Sequence, residues 1–170
     1  RSRRASLQPA GSAPAHDDIL RKIDHDPKWF LDLLENAEGI LPERAYRKYQ
    51  KFARERYEHL QELYLKQAIL SRYARYMDRP ELSGYRELNL NIVKDIIRYF
   101  ANAKNMMYLY KVKLMKLLWY SDALSFKRFG HSITGLVYQS LPMGAVPIGY
   151  DTIIEFSGVP YEEHEYDNGT

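Results

Sequence analysis

Residues 113–150, KLMKLLWYSDALSFKRFGHSITGLVYQSLPMGAVPIGY, contain the patterns that decide the fold. A strongly apolar helical pattern runs from Leu109 to Phe129, and Gly130 stands where a left-handed residue ends a helix. Its apolar residues cover more than one side, so we expect this helix to be central. The following SITGLVYQSL is rich in β-branched and aromatic residues, which predicts a short strand or an extended segment.

The next stretch, QSLPMGAVP at residues 139–147, combines two prolines with a glycine. Pro142 and Pro147 restrict two backbone angles, and Gly144 permits a conformation that other residues avoid. Apart from Ser140 the stretch holds no acid, base or nucleophile. We therefore interpret it as a loop that turns the chain towards a further helix near Asp151, and as part of the scaffold.

Helical patterns also dominate the chain before residue 109. In HDPKWFLDLLENAEG, residues 25–39, Asp26 is a helix N-cap, Pro27 suits the first helical position and Gly39 lies where the helix should stop. A second helix is predicted over residues 90–103. Between them, residues 42–78 predict a helix of roughly 55 Å at ~1.5 Å rise per residue. So long a helix must pack on another helix, on a partner, or on a second copy of the chain as a homodimer.

These patterns predict a mainly α fold with a short extended or β segment, preceded by a long linker helix. Residues 1–40 are expected to begin with a flexible lead-in, residues 41–80 to form the long basic linker helix, and residues 81–170 to form the main domain. The chain does not begin with Met, so we expect a fragment or a processed chain.

Composition and charge narrow the classes of function. The 170 residues include no cysteine, which excludes disulfides and thiolate chemistry and favours a cytoplasmic setting. No apolar run reaches the ~20 residues that span a bilayer, so no membrane partner is expected. All 25 Lys and Arg precede residue 151, and residues 151–170 hold six acids. The basic residues at the start of the long helix are possible nucleic-acid contacts, unless they form solvated helix faces: Arg44, Arg47, Lys48 and Lys51.

Catalytic patterns are missing from the sequence. The five histidines have no zinc-binding spacing, and no glycine pattern for phosphate or dinucleotide binding occurs. Ser121, Asp122 and His131 could suggest a hydrolytic triad, but no nucleophile elbow surrounds Ser121, and it points along a different helix face from Asp122. We expect no catalytic residue, no metal, no cofactor and no enzymatic activity.

Residues 111–151 resemble the Panacea domain, also described as a SocA-like antitoxin domain. The resemblance rests on a K-L-x-K-L-L helix with two aromatics, a following F-G, an extended stretch, a G-P-V-P loop and a later Tyr. Trp119 replaces the first aromatic and Ala145 the loop's first proline. The motif positions, with a structural or a toxin-binding role, are Lys113, Lys116, Trp119, Tyr120, Phe129, Gly130, Tyr138, Gly144, Val146, Pro147 and Tyr150.

Residues 6–36, SLQPAGSAPAHDDILRKIDHDPKWFLDLLEN, are similar to the segment that follows the helix-turn-helix in bacterial regulators of this type. That resemblance implies that residues 1–40 contain the remnant of a DNA-binding region. It also implies a linker helix that leads into the Panacea domain at residues 81–170. Because Panacea domains usually extend further, we expect the domain to be truncated at its C-terminus.

The resemblance implies an antitoxin of a bacterial or phage toxin–antitoxin system. Such a protein neutralises a cognate protein toxin by direct binding, and its relatives with helix-turn-helix segments are presumed to regulate their own operon through operator DNA. Two alternatives stay open. One is a transcription regulator whose Panacea-like domain binds a ligand or forms oligomers, and the other is a proteolytic adaptor.

Overall fold

The computed structural model describes residues 14–104, 108–142 and 144–161. Six α-helices and one two-stranded sheet occur in these ranges, which confirms the mainly α fold with a short β segment. The chain divides into two compact units, residues 1–61 and residues 62–170. This division does not test the predicted domain boundaries at residues 40 and 80, which stay predictions.

The first unit is built from α1 (Pro14–His25), α2 (Pro27–Glu35) and the first part of α3 (Glu43–Tyr73). Asp26 caps α2 as expected, since its Oδ1 accepts a hydrogen bond from the amide of Trp29 at 3.0 Å, and Pro27 follows at the first helical position. Leu34, Tyr46 and Ala53 form the small core of this unit. Arg56 Nη2 lies 2.6 Å from Asp24 Oδ1, an ion pair between α3 and α1.

The second unit contains the end of α3, followed by two short 3-10 helices, Ala74–Tyr76 and Pro80–Ser83. Then come α4 (Leu90–Ala101), α5 (Lys111–Phe129), β1 (Tyr138–Leu141), β2 (Gly144–Pro147) and α6 (Tyr150–Ser157). Asn89 caps α4 by accepting from the amide of Ile92 at 3.1 Å. The core of this unit joins side chains from all four helices, among them Ile69, Ile97, Leu118 and Ile153.

The predicted loop at residues 139–147 is a β-hairpin. Strands β1 and β2 are antiparallel, with Tyr138 opposite Pro147 and Leu141 opposite Gly144. The motif positions Gly144, Val146 and Pro147 therefore lie in a strand, which corrects their interpretation as a loop. Pro147 is tolerated because it ends the edge strand of a two-stranded sheet, where a missing amide costs little. The helix expected near Asp151 is present as α6.

Two further expectations concern long helices. The helix over residues 42–78 is found as α3, which is 31 residues long and ends at Tyr73 in a 3-10 turn. Helix α5 ends at Gly130, which has φ 77° as predicted for a left-handed stop. No helix in the described ranges combines the length and apolarity that crossing a bilayer requires.

Candidate protein-interaction surface on helix α5

Helix α5 has one buried side. Leu114, Met115 and Leu118 begin the buried stripe, and Asp122 and Ser125 continue it. These positions recur at three- and four-residue spacing, so they share one side of a helix with 3.6 residues per turn. The sequence predicted a central helix, but the other side of α5 is exposed. Apolar residues on the exposed side of α5 therefore lie outside the core.

Asp122 is a polar residue on the buried stripe, and only 5% of its surface is exposed. Its Oδ1 accepts hydrogen bonds from the amides of Ile133 and Thr134 at 2.8 and 2.9 Å. Its Oδ2 accepts from the Tyr138 hydroxyl at 2.7 Å and from the Thr134 hydroxyl. Four donors satisfy one buried carboxylate, as burial of such a group requires. Asp122 thereby fixes the segment after α5 to the helix itself.

The same segment is tied to the chain before α4. Ser132 Oγ donates to the carbonyl of Ser83 at 2.7 Å and accepts from the amide of Gly135 at 3.1 Å. The amide of Asn89 donates to the carbonyl of Thr134 at 2.9 Å. Of residues 132–141, where a strand or an extended segment was expected, Tyr138–Leu141 form β1. The residues before β1 are irregular and are held by side-chain hydrogen bonds on both sides.

Two buried tyrosines complete this network. The Tyr73 hydroxyl donates to the carbonyl of Ile148 at 3.1 Å, and the Tyr138 hydroxyl donates to Asp122. Burial raises the pKa of both phenols well above the ordinary value, and the neighbouring Asp122 raises that of Tyr138 further. Both side chains remain neutral hydrogen-bond donors, so they stabilise the fold.

The residues that could suggest a triad have separate structural roles. Ser121 Oγ donates to the carbonyl of Leu117 at 2.8 Å within its own helix. Nδ1 of His131 lies 2.9 Å from the carbonyl oxygen of Ser132. Asp122 is occupied by the four donors described above. In the described part of the chain, no group of three or more His, Asp or Glu side chains is placed to hold a metal ion.

Opposite the buried stripe lies a surface that we call the outer face of α5. Trp119 and Phe126 are exposed at 39% and 45%, and Tyr120 at 61%. Lys116 and Lys127 are exposed beside them, whereas Asp122, the helix's single acid, is buried. The outer face combines exposed aromatic rings with positive charge. Its residues are Val112, Lys113, Lys116, Trp119, Tyr120, Phe126 and Lys127.

Two of the rings on the outer face are supported by neighbours. The Phe126 ring stacks on Tyr85 with centroids 6.3 Å apart and planes 20° apart. Trp119 packs edge-on against Tyr120, with centroids 5.1 Å apart. These contacts restrict the rings while leaving much of their surface exposed. Aromatic side chains of this kind are typical of protein interfaces.

The structure divides the predicted motif positions into two groups. Lys113, Lys116, Trp119 and Tyr120 lie on the outer face. Phe129 is exposed at the end of α5, where its ring stacks near that of His131, and Gly130 ends the helix. Tyr138 bonds to Asp122, and the ring of Tyr150 lies under Lys111, whose Nζ is 4.8 Å from its centroid. Gly144, Val146 and Pro147 form β2, in which Gly144 lies close to the side chain of Lys116.

The predicted nucleic-acid contacts lie on one side of α3. Arg44, Arg47, Lys48 and Lys51 are all exposed and share the side opposite the buried Tyr46 and Ala53. Arg47 pairs with Glu43 at 2.6 Å, and Lys51 with Glu55 at 3.7 Å. These pairs reduce the net charge of the surface. The contact with nucleic acid stays a prediction.

Sequence reasoning missed the structural role of Asp122, which it considered only as a member of a triad. A signal was present. Asp122 follows Leu118 by four residues, and therefore stands on the apolar stripe of the helix. A polar residue at such a position needs buried partners. Thr134 and Tyr138, whose hydroxyls supply two of these partners, follow Asp122 within one short segment.

Fold and surface together define a mainly α protein with an exposed aromatic and basic face on α5. Residues 114–169, about a third of the chain, match the family model described as antitoxin SocA-like, Panacea domain. This match confirms, for residues 114–169, the family that was recognised from the sequence. The resemblance of residues 6–36 to the end of a helix-turn-helix region is not confirmed. Neither the curated proteins nor the solved structures gave a match to the chain.

Proposed function

We propose that this protein is the antitoxin of a bacterial or phage toxin–antitoxin pair and neutralises its cognate toxin by direct binding. The observation that carries the proposal is the match of residues 114–169 to a family of antitoxin domains. The matched segment begins within α5 and includes the hairpin and α6. Neutralisation by binding needs an exposed surface and no reactive group, and α5 presents such a surface.

The mechanism we propose is occlusion. A rigid antitoxin surface that covers a toxin's active site, or holds the toxin in an inactive conformation, stops its activity for as long as the complex lasts. The hydrogen bonds around Asp122 support such a role, because they fix the chain after α5 to the helix. A surface that is ordered before binding loses less conformational entropy when the complex forms.

Growth rescue tests the proposal. The protein encoded by the reading frame that adjoins this gene is expressed from an unrelated inducible promoter, with and without this chain. We expect the neighbour alone to arrest growth, the full chain to restore it, and the two proteins to co-purify. A chain that lacks residues 105–150 should not restore growth, since it lacks α5 and the hairpin.

The unrelated promoter separates neutralisation from transcriptional regulation. A regulator that acts only on its own operon cannot rescue growth in this arrangement. An adaptor would restore growth while the amount of the neighbouring protein falls, whereas direct neutralisation leaves that amount unchanged. A folded, well-expressed full chain that neither restores growth nor binds the neighbour would contradict the proposal.

A further inference from the structure

We propose that the outer face of α5 is the surface on which the toxin docks, and that it selects a toxin surface with carboxylates around an apolar depression. This inference rests on the proposed function and adds the place of contact and the chemistry of the partner. The inference assigns toxin binding to the motif residues on the outer face, which are Lys113, Lys116, Trp119 and Tyr120. The other group, around Asp122 and β2, maintains the fold.

The arrangement of apolar and charged residues supports a docking surface. Trp119 and Phe126 lie seven residues apart on α5, and Val112 lies a further seven residues towards its start, so the three form one apolar strip along the helix. Lysines lie beside this strip. Protein interfaces have the same order, with aromatic anchors at the centre and charged groups at the rim.

The positive charge of the outer face indicates the kind of partner surface that it binds. Lys113, Lys116 and Lys127 are exposed, and within the described ranges none of them forms an ion pair. Lys111, just before them, pairs with Asp151. With Asp122 buried, no exposed acid on α5 offsets the three lysines. A partner surface with carboxylates complements this charge and is attracted to it over a distance.

The way in which neighbouring rings cover the aromatic side chains of the outer face favours a protein partner over nucleic acid. Bases of single strands stack on the open faces of aromatic rings. Here one face of Phe126 is covered by Tyr85, and Trp119 packs edge-on with Tyr120. Phe126 therefore has one ring face closed to a base, and Val112 beside the rings offers only methyl groups, which suit insertion into an apolar depression.

The test measures binding of the purified adjoining protein to the full chain and to variants. Trp119→Ala should weaken binding at least about tenfold, because an anchor is lost. Lys113→Glu with Lys116→Glu should also weaken it at least about tenfold at low salt. Lys113→Ala with Lys116→Ala should make the affinity less sensitive to added salt.

Matched controls change exposed residues of the same unit away from α5. Tyr64→Ala removes an exposed aromatic ring on α3, and Lys66→Glu with Lys104→Glu reverses two exposed lysines. Both should bind like the original chain. Thermal unfolding of every variant checks its fold, and the lysine variants keep the test valid if Trp119→Ala unfolds, because exposed lysines contribute little to stability.

Three results would overturn the inference while the proposed function holds. In the first, the original chain neutralises its neighbour and the outer-face variants bind it equally well. In the second, those variants lose affinity only for a single-stranded oligonucleotide. In the third, they only turn a dimer of this chain into monomers. A failure of the original chain itself to bind the neighbour contradicts the proposed function, and this inference with it.

Discussion

Asp122 shows at the scale of a single residue how a polar group is accommodated on an apolar helix face. A buried carboxylate is costly unless donors surround it. Here two amides and two hydroxyls supply those donors, and each belongs to the segment from Ile133 to Tyr138. The residue that most disturbs the hydrophobic pattern is therefore the one that connects α5 to the chain after it.

Removal of this carboxylate should destabilise the protein strongly. Asp122→Ala leaves four donors without their acceptor, and we expect the free energy of unfolding to fall by about 4 kcal/mol. Asp122→Asn keeps one acceptor oxygen and should cost less. Asp95→Ala, at an exposed position on α4, is the control and should change stability by less than about 0.5 kcal/mol. Chemical denaturation measures all three. Equal stabilities of the Ala variants at positions 122 and 95 would contradict the role of Asp122.

Gly135 and Gly130 form a matched pair, because their φ values are 76° and 77°. A β-carbon on Gly130 would meet nothing within 4 Å, whereas one on Gly135 would collide with the carbonyl of Glu87 and lie 2.7 Å from the amide nitrogen of Leu88. The left-handed backbone alone costs an alanine about 1 kcal/mol.

Gly130→Ala should therefore lower the free energy of unfolding by about 1 kcal/mol, and Gly135→Ala by at least about 2 kcal/mol more, since the backbone of the chain before α4 must move. Thermal or chemical unfolding of the two variants gives the difference directly. If both lose the same amount, the close approach at Gly135 is not what requires a glycine there.

At the scale of the element, α5 has more apolar residues than its buried side accommodates. Leu114, Met115 and Leu118 fill the core, and Trp119 and Phe126 remain on the outer face. The sequence predicted a central helix because every apolar residue of α5 was assumed to be buried within the same chain. In the structure, the apolar residues that do not fit the core lie on the outer face.

A second prediction at the scale of the element concerns the basic residues of α3 and their binding to DNA. If Arg44, Arg47, Lys48 and Lys51 contact DNA phosphates, affinity for the DNA upstream of the gene should fall steeply with salt. Replacing all four by Ala should reduce the slope of log K against log salt by up to about four. A fluorescence titration at several salt concentrations measures it.

The control replaces four exposed cations elsewhere: Arg21, Lys28, Lys66 and Lys104. It should leave the slope close to that of the original chain. An equal change of slope in both variants would indicate a general effect of net charge. An unchanged slope in both would mean that the basic residues of α3 face solvent and do not contact DNA. The ion pairs with Glu43 and Glu55 make a reduction below four the expected result for the α3 variant.

At the scale of the whole molecule, the recognised family segment lies within the second unit, residues 62–170. Its core brings the end of α3 together with α4, α5 and α6. The part of the chain that matches an antitoxin family therefore shares its core with residues outside the match. It also uses Ile69 and Tyr73, which precede the match by about forty residues.

The sequence allowed most helices to be located, because their signals are local. Asp26 caps α2 through an amide three residues away, and Gly130 ends α5 through its own backbone angle. The hairpin was harder to predict. Its prolines and glycine favour a turn, and only the pairing of Tyr138 with Pro147 shows that the turn lies between two strands.

The sequence by itself determined the mainly α class, the approximate helices and the resemblance of one segment to a family of antitoxin domains, since periodicity, caps and motif spacing act within short stretches of chain. The tertiary structure decided which side of α5 is buried, that Asp122 joins the helix to the following segment, and that the motif residues divide between a surface and a scaffold. These features depend on contacts between residues far apart in the chain, such as Asp122 with Ile133, eleven positions apart, and Ser132 with Ser83, forty-nine positions apart. No local pattern specifies such partners.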